Sequence, residues 1–170
     1  MSHLLIETDV KLIVAHLTAN MPAELAAVSA DHPDKSVPLS APRAYYIYEP
    51  SAAFQAPAIF VIADSMDFRL QEKGANFIDA LSRINATVVI EAKESDQLAI
   101  ASWRYQAAMH KLLAQTRLTS ADEKVVIVIK VVRASFSPVY TTAQQKGNPQ
   151  GVFRKEVLLE LDVEHYEKLT

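Results

Sequence analysis

Ile84-Asn85-Ala86-Thr87-Val88-Val89-Ile90-Glu91-Ala92, followed by Lys93-Glu94-Ser95-Asp96-Gln97 and then by Leu98 to Gln115, is the stretch from which the fold is read. Ala86, Val88, Ile90 and Ala92 share one face at a period of two, with Thr87, Glu91 and Lys93 opposite, which predicts a half-buried strand. Glu94 to Gln97 supply side-chain oxygens for the free amides of a helix start, and acidic groups suit its positive end. Leu98, Ala101, Tyr105, Ala108 and Leu112 then recur at spacings of three and four, lining one helix face. A strand, a tight turn and an amphipathic helix therefore stand in a row, with Trp103 and Arg104 flanking the buried stripe. The unit contains no nucleophile, metal cluster or phosphate loop.

Working outward, Ala58-Ile59-Phe60-Val61-Ile62-Ala63-Asp64 is continuously apolar after Pro57, as expected of a strand covered on both faces. Residues 77–83 fit a helical turn almost as well as a strand, and strand parity through Ile78, Ala80, Ser82 and Ile84 favours one long strand. The charged connection from Asp67 to Asn76 makes these two strands a hairpin. Val125 to Val132 is a β-branched run too rich in Val and Ile for a surface helix. In the last strand Val157, Leu159, Leu161 and Val163 alternate with Glu156, Glu160 and Asp162, giving it one wet face. A second antiparallel hairpin follows, with the long Pro- and Gly-containing loop at 135–151 as its tip.

Towards the N-terminus, Val10, Ile13, Val14 and Leu17 form a stripe on a first helix of about residues 8–20, with Asp9 off the stripe. Pro22 suits the first turn of a short second helix carrying Leu25 and Val28. Residues 31–56 read as an irregular segment rich in Pro and Tyr, in which Arg43 to Glu49 forms at most a short edge strand between Pro42 and Pro50. The expected fold class is α+β: a two-layer sandwich with a mostly antiparallel sheet, helices packed on one face, and element order α-β-β-α-β-β. A chain of 170 residues, half of them hydrophobic, fits one domain burying about 70% of its unfolded surface.

Composition excludes several functions. Seventeen basic against twenty acidic residues leave a net charge of −3, which provides no field for a polyanion, so sequence-specific nucleic-acid binding is not expected. Cysteine is absent, which removes disulfides and thiolate metal sites. Three glycines, at 74, 147 and 151, cannot build a Walker loop or a dinucleotide fingerprint. The start lacks a secretory pattern and no run reaches the ~20 apolar residues of a membrane span, so a soluble chain made in the cytoplasm is expected.

No two of His3, His16, His32, His110 and His165 lie three to five residues apart, so no paired-histidine metal motif exists, and no cofactor is expected. The Asp31-His32-Pro33-Asp34 cluster reads as a polar turn. Glu91 is the one acid with a claim to acid/base use, against the plainer reading of a surface ion pair beside Lys93. Ser65, Ser102 and Ser137 lack the flanking glycines of a nucleophile elbow. No catalytic or metal-binding residue is nominated. Trp103, at the edge of the helix stripe, reads equally as core rim or interface anchor. The candidate contact residues are Trp103 and Arg104 on the helix, Tyr45, Tyr46 and Tyr48 in the Tyr-rich segment, and Tyr140 and Lys146 in the 135–151 loop.

A leading helix ending at Met21-Pro22-Ala23-Glu24-Leu25, the apolar strand running into Asp64-Ser65, the Gly74-Ala75-Asn76-Phe77 turn, and Val88 to Lys93 feeding Trp103-Arg104-Tyr105 together make the chain resemble the tail terminator and tail completion proteins of tailed bacteriophages. The resemblance spans roughly Thr8 to Val163. It implies a non-enzymatic virion protein, assembled in the host cytoplasm, that forms a homo-oligomeric ring, a hexamer in this family. Such a ring caps the head-proximal end of the tail tube, with the tail tube protein and neck or connector proteins as partners. Two alternatives stay open: a head-completion or neck adaptor protein, and a small-molecule-binding domain or enzyme with a pocket under the 135–151 loop.

Overall fold

The computed structural model describes residues 5–32, 34, 36–49, 54–69, 76–141 and 152–168. Among them the order is α1 (Leu5–Asp31), β1 (Ala44–Tyr46), β2 (Ala58–Phe68), β3 (Phe77–Ala92), α2 (Ser95–Leu113), β4 (Arg117–Thr119), β5 (Val125–Phe136), β6 (Tyr140–Thr141) and β7 (Phe153–Lys168). One sheet runs β1-β2-β3-β7-β5-β4, with β6 beside β7. The fold is α+β, with both helices on one face of a mostly antiparallel sheet. Both expected hairpins are present: β2 pairs antiparallel with β3, and β5 with β7. Short strands β1, β4 and β6 add to the expected order, and β1 is the one parallel neighbour, against β2 at the sheet edge.

The long central strands explain the layering. Ile84, Ala86 and Val88 of β3 lie opposite Leu161, Leu159 and Val157 of β7, so one apolar row crosses the middle of the sheet. That row joins Ile59 and Val61 of β2, Ile127 and Ile129 of β5, and the buried sides of both helices in one core. The opposite face carries a small second cluster of Ala58, Phe60 and Val89, edged by Tyr46, Phe54 and Ile62. No helix covers that outer face among the described residues.

Three expectations about the helices need correction. α1 is one 27-residue helix with Pro22 inside it, in place of two helices separated there. Val10, Ile13, Leu17, Met21 and Leu25 keep helical spacing through the proline and are all buried, so packing holds the helix together despite the lost amide. Asp9 lies on that stripe and is fully buried, not off it. On α2 the buried face comprises Leu98, Ala101, Ser102, Arg104, Tyr105, Ala108, Met109 and Leu113. Leu112 is only partly buried at its border, because the stripe rotates towards Met109 and Leu113 in the last two turns. α2 ends where Ala114 N–H donates to His110 O and Gln115 turns left-handed at φ 56°, which directs the chain into β4. α1 is long and apolar enough to cross a membrane on composition alone, but its apolar stripe is spent on this core.

Candidate functional site

The coil at residues 34 and 36–43 is tied to one side of α2. Arg104 is 4% exposed, and its guanidinium donates to Val37 O at 3.2 Å and to Asp34 O at 2.9 Å. Tyr105 OH donates to Ser40 O at 2.5 Å. Two consecutive side chains thus hold one largely exposed coil by three backbone carbonyls. Burial, with a smaller opposing effect from Ser40, pushes the Tyr105 phenol up to about 12. Arg104 is therefore part of the internal scaffold, and its neighbour Trp103 points away from it at 60% exposure. Helical geometry separates them, since consecutive residues diverge by about 100°.

Tyr45 and Tyr46 divide between the two faces of β1 as period two requires. Tyr45, opposite Ile59, packs on the main core, and burial raises its phenol pKa. Tyr46, opposite Phe60, stacks on it at 5.0 Å and 12°. Phe54 meets Phe60 edge-on at 4.9 Å, Tyr48 meets Tyr46 at 6.0 Å, and the Arg154 guanidinium lies 4.9 Å over Phe54. Arg154 also pairs with Glu91, which sits opposite it in the β3–β7 register. The acid singled out in the sequence thus has a cross-strand cation as its partner, not Lys93. The result is an aromatic and cationic patch at the β1–β2 edge of the outer face, with Tyr48 exposed at its rim.

Next to this patch, Tyr140 of β6 lies opposite Arg154; its OH donates to Glu156 at 2.6 Å, and burial together with that carboxylate pushes its phenol up to about 12. Phe136 and Val139 are exposed beside it. Lys146 and residues 142–151 of the long loop lie outside the described residues. The structure brings Tyr46 and Tyr48 together and places Tyr140 across Arg154 from them, but leaves Trp103 on a separate surface.

One polar cluster was missed in the sequence. Ser82 Oγ of β3 donates to Asp9 Oδ2 at 2.7 Å, His165 Nδ1 of β7 lies 2.5 Å from Asp9 Oδ1, and all three side chains are fully buried. The residue types match those of a hydrolase triad, but the connectivity does not. The carboxylate stands between serine and histidine, so no base reaches the hydroxyl. The cluster ties the start of α1 to the middle of the sheet. Parity gave a signal for it: Ser82 continues Ala80 and Ile84, His165 continues Leu161 and Val163, and Asp9 precedes Ile13 by four.

Two recesses among the described residues bear on these groups. One of about 330 Å³ sits between the 37–40 coil, the end of β3 and the start of α2, with Glu91, Lys93, Gln97 and Tyr105 among its walls. The other, of about 420 Å³, is a dent in the outer sheet face lined by Asp64, Arg83, Asn85, Glu160 and Asp162. Residues 135–141 line neither. Among the described residues no three His, Asp or Glu side chains converge to hold a metal.

No family model matches the chain, and no curated protein matches it. Among solved structures, it is similar to a chain of a structure titled "Virion of native gene transfer agent (GTA) particle", at 17% identity and a TM-score of 0.44, covering 96% of this chain and 99% of that one. It is also similar to a structure titled "Np_888769.1", at 13% identity and a TM-score of 0.39, covering 88% and 93% of the two chains. Likeness at this level decides nothing about function.

Proposed function

We propose that this chain is a non-enzymatic structural protein of a tailed-phage virion: a tail terminator that assembles as a homo-oligomeric ring, caps the head-proximal end of the tail tube and joins it to the neck. The observation that carries the reading is the distribution of large exposed apolar side chains. Trp103 stands on α2, Ile47 and Tyr48 beside β1, and Val132, Phe136, Val139 and Tyr140 along β5 and β6. Large apolar groups exposed both on α2 and on the sheet side opposite the helices fit a protein with more than one neighbour. A contact between two unlike surfaces closes a ring when its rotation permits. The resemblance of the sequence to tail terminator and tail completion proteins supplies the specific assignment.

Native mass spectrometry at micromolar concentration, alone and with purified tail tubes, tests the reading. A closed oligomer that co-sediments with tubes supports it. Co-sedimentation with heads instead would make the chain a neck adaptor. A monomer that binds neither removes the proposal. Trp103→Ala is expected to leave the melting temperature of the isolated chain unchanged and to weaken assembly or tube binding. Equal loss of folding and assembly would return Trp103 to the core rim.

A further inference from the structure

Each outer strand of the sheet lacks a partner along half its length. β1 reaches only Ala58, Ile59 and Phe60 of β2, so among the described residues no strand lies beside the outer side of β2 from Val61 to Phe68. β4 pairs with Val126 to Val128 of β5, and Ile129 N–H donates to Thr116 O. From Lys130 to Phe136 the outer side of β5 has no strand beside it among the described residues. Such edges present rows of backbone donors and acceptors that another strand can fill. At ~3.3 Å per residue the two free lengths are similar, roughly 23 to 27 Å.

The edges also match in direction and level. β2 opposes β3, β3 opposes β7 and β7 opposes β5, so β2 and β5 run in opposite directions. A second copy set alongside with the same face forward therefore brings β5 against β2 as antiparallel neighbours. Ser65 lies across Arg83 and Asp162 from Lys130, and Val61 across Ala86 and Leu159 from Ala134, so Val61–Ser65 and Lys130–Ala134 share the same rungs of the ladder. Each edge carries a bulge near that level, between Ala63 and Ser65 on β2 and between Val131 and Arg133 on β5.

Charge then selects the occupant. The β2 edge bears Asp64 and Asp67, and the β5 edge bears Lys130 and Arg133. Their partners within the chain are exposed pairs: Arg83 lies 3.8 Å from Asp67, Glu164 lies 2.7 Å from Lys130, and Glu160 lies 3.8 Å from Arg133. Bulges and edge charges normally deter strand addition. Two β2 edges would set acid against acid, and two β5 edges base against base. Only β2 against β5 sets opposite signs together. We propose that copies of this chain join head to tail through these edges, with Lys130–Ala134 of one copy pairing antiparallel with Val61–Ser65 of the next. The inference rests on the homo-oligomeric reading above and assigns its interface.

Charge reversal tests it. D64K/D67K and K130E/R133E are expected each to remain monomeric by native mass spectrometry, with at least a tenfold loss of assembled protein, while far-UV circular dichroism shows a native fold. Mixing them should restore assemblies in which the two variants alternate, because every junction then regains one acidic and one basic edge. Should either variant misfold, hydrogen exchange on the wild type decides: edge-facing amides of 61–65 and 130–134 slow on assembly if the edges pair. An assembling wild type whose variants assemble equally well, or whose edge amides exchange unchanged, overturns the edge assignment and leaves the ring. A monomeric wild type removes the ring and this interface with it.

Discussion

Asp9, Ser82 and His165 show how one residue can anchor three elements. With both Asp9 oxygens engaged and all three side chains fully buried, truncating Asp9 would strand a serine hydroxyl and an imidazole without their acceptor. Asp9→Ala is therefore expected to cost about 3 to 5 kcal/mol, as removing one partner of a buried pair does. Replacing all three residues by apolar groups of similar volume should recover most of that loss, since burying polar groups is itself costly. Urea unfolding at neutral pH compares the two variants; a single variant as stable as the wild type would show that the cluster holds nothing. Tyr105 gives a pH-dependent counterpart. Its phenol is raised by burial to about 12 in the fold, above the ordinary value of 10.0. A raised folded value means its contribution is fully present below pH ~10 and is lost as pH climbs through ~12. Stability should fall steeply across that window. Tyr105→Phe should flatten the fall while costing about 1 kcal/mol at neutral pH for the lost bond to Ser40.

At the scale of elements, α1 sets a local signal against packing. Pro22 removes the amide that would bond Thr18 O, yet Thr18 and Pro22 are both exposed, so water can satisfy the carbonyl, and the helix continues under Met21 and Leu25. Pro22→Ala should therefore stabilise the chain by about 1 to 3 kcal/mol, read as a shift in the urea midpoint. A loss would mean that a bend at Pro22 is needed for α1 to follow the sheet. The same contest explains what was legible in the sequence. Strands β3 and β7 could be read because they are long and alternate, β2 and β5 because they are continuous apolar or β-branched runs, and the apolar face of α2 because its stripe is regular. β4 and β6, of three and two residues, hold their places through pairing with β5 and β7 and carry no pattern of their own. Arg104 was placed on the surface because a charged side chain beside a stripe is normally solvated. The carbonyls that draw it inward belong to Asp34 and Val37, some seventy residues away, and no spacing reveals them. The outer aromatic patch was half legible: Tyr46 and Tyr48 stood out by composition, but their partners Phe54, Phe60 and Arg154 come from three other segments.

For the whole molecule, an open sheet with one acidic and one basic edge predicts how assembly responds to solution conditions. The edge charges are exposed, so salt reaches them, and their attraction is screened as the Debye length falls from ~10 Å at ~0.1 M to ~3 Å at ~1 M. The backbone bonds and the apolar groups at the same edges, Val132, Phe68 and Phe136, do not depend on salt in this way. Exposed ion pairs contribute about 0 to 1 kcal/mol each. Two pairs per junction therefore correspond to at most a roughly thirtyfold shift per contact, since 1.4 kcal/mol is a factor of ten. The concentration at which half the chain is assembled should rise severalfold, not thousands-fold, between these salt levels, as sedimentation velocity can measure. Assembly also stabilises the folded chain by mass action, so the melting temperature should climb with protein concentration at low salt and less steeply at high salt. A midpoint indifferent to salt would take the charges out of the junction. One that moves by many orders of magnitude would mean that charge, rather than strand pairing, holds the copies together.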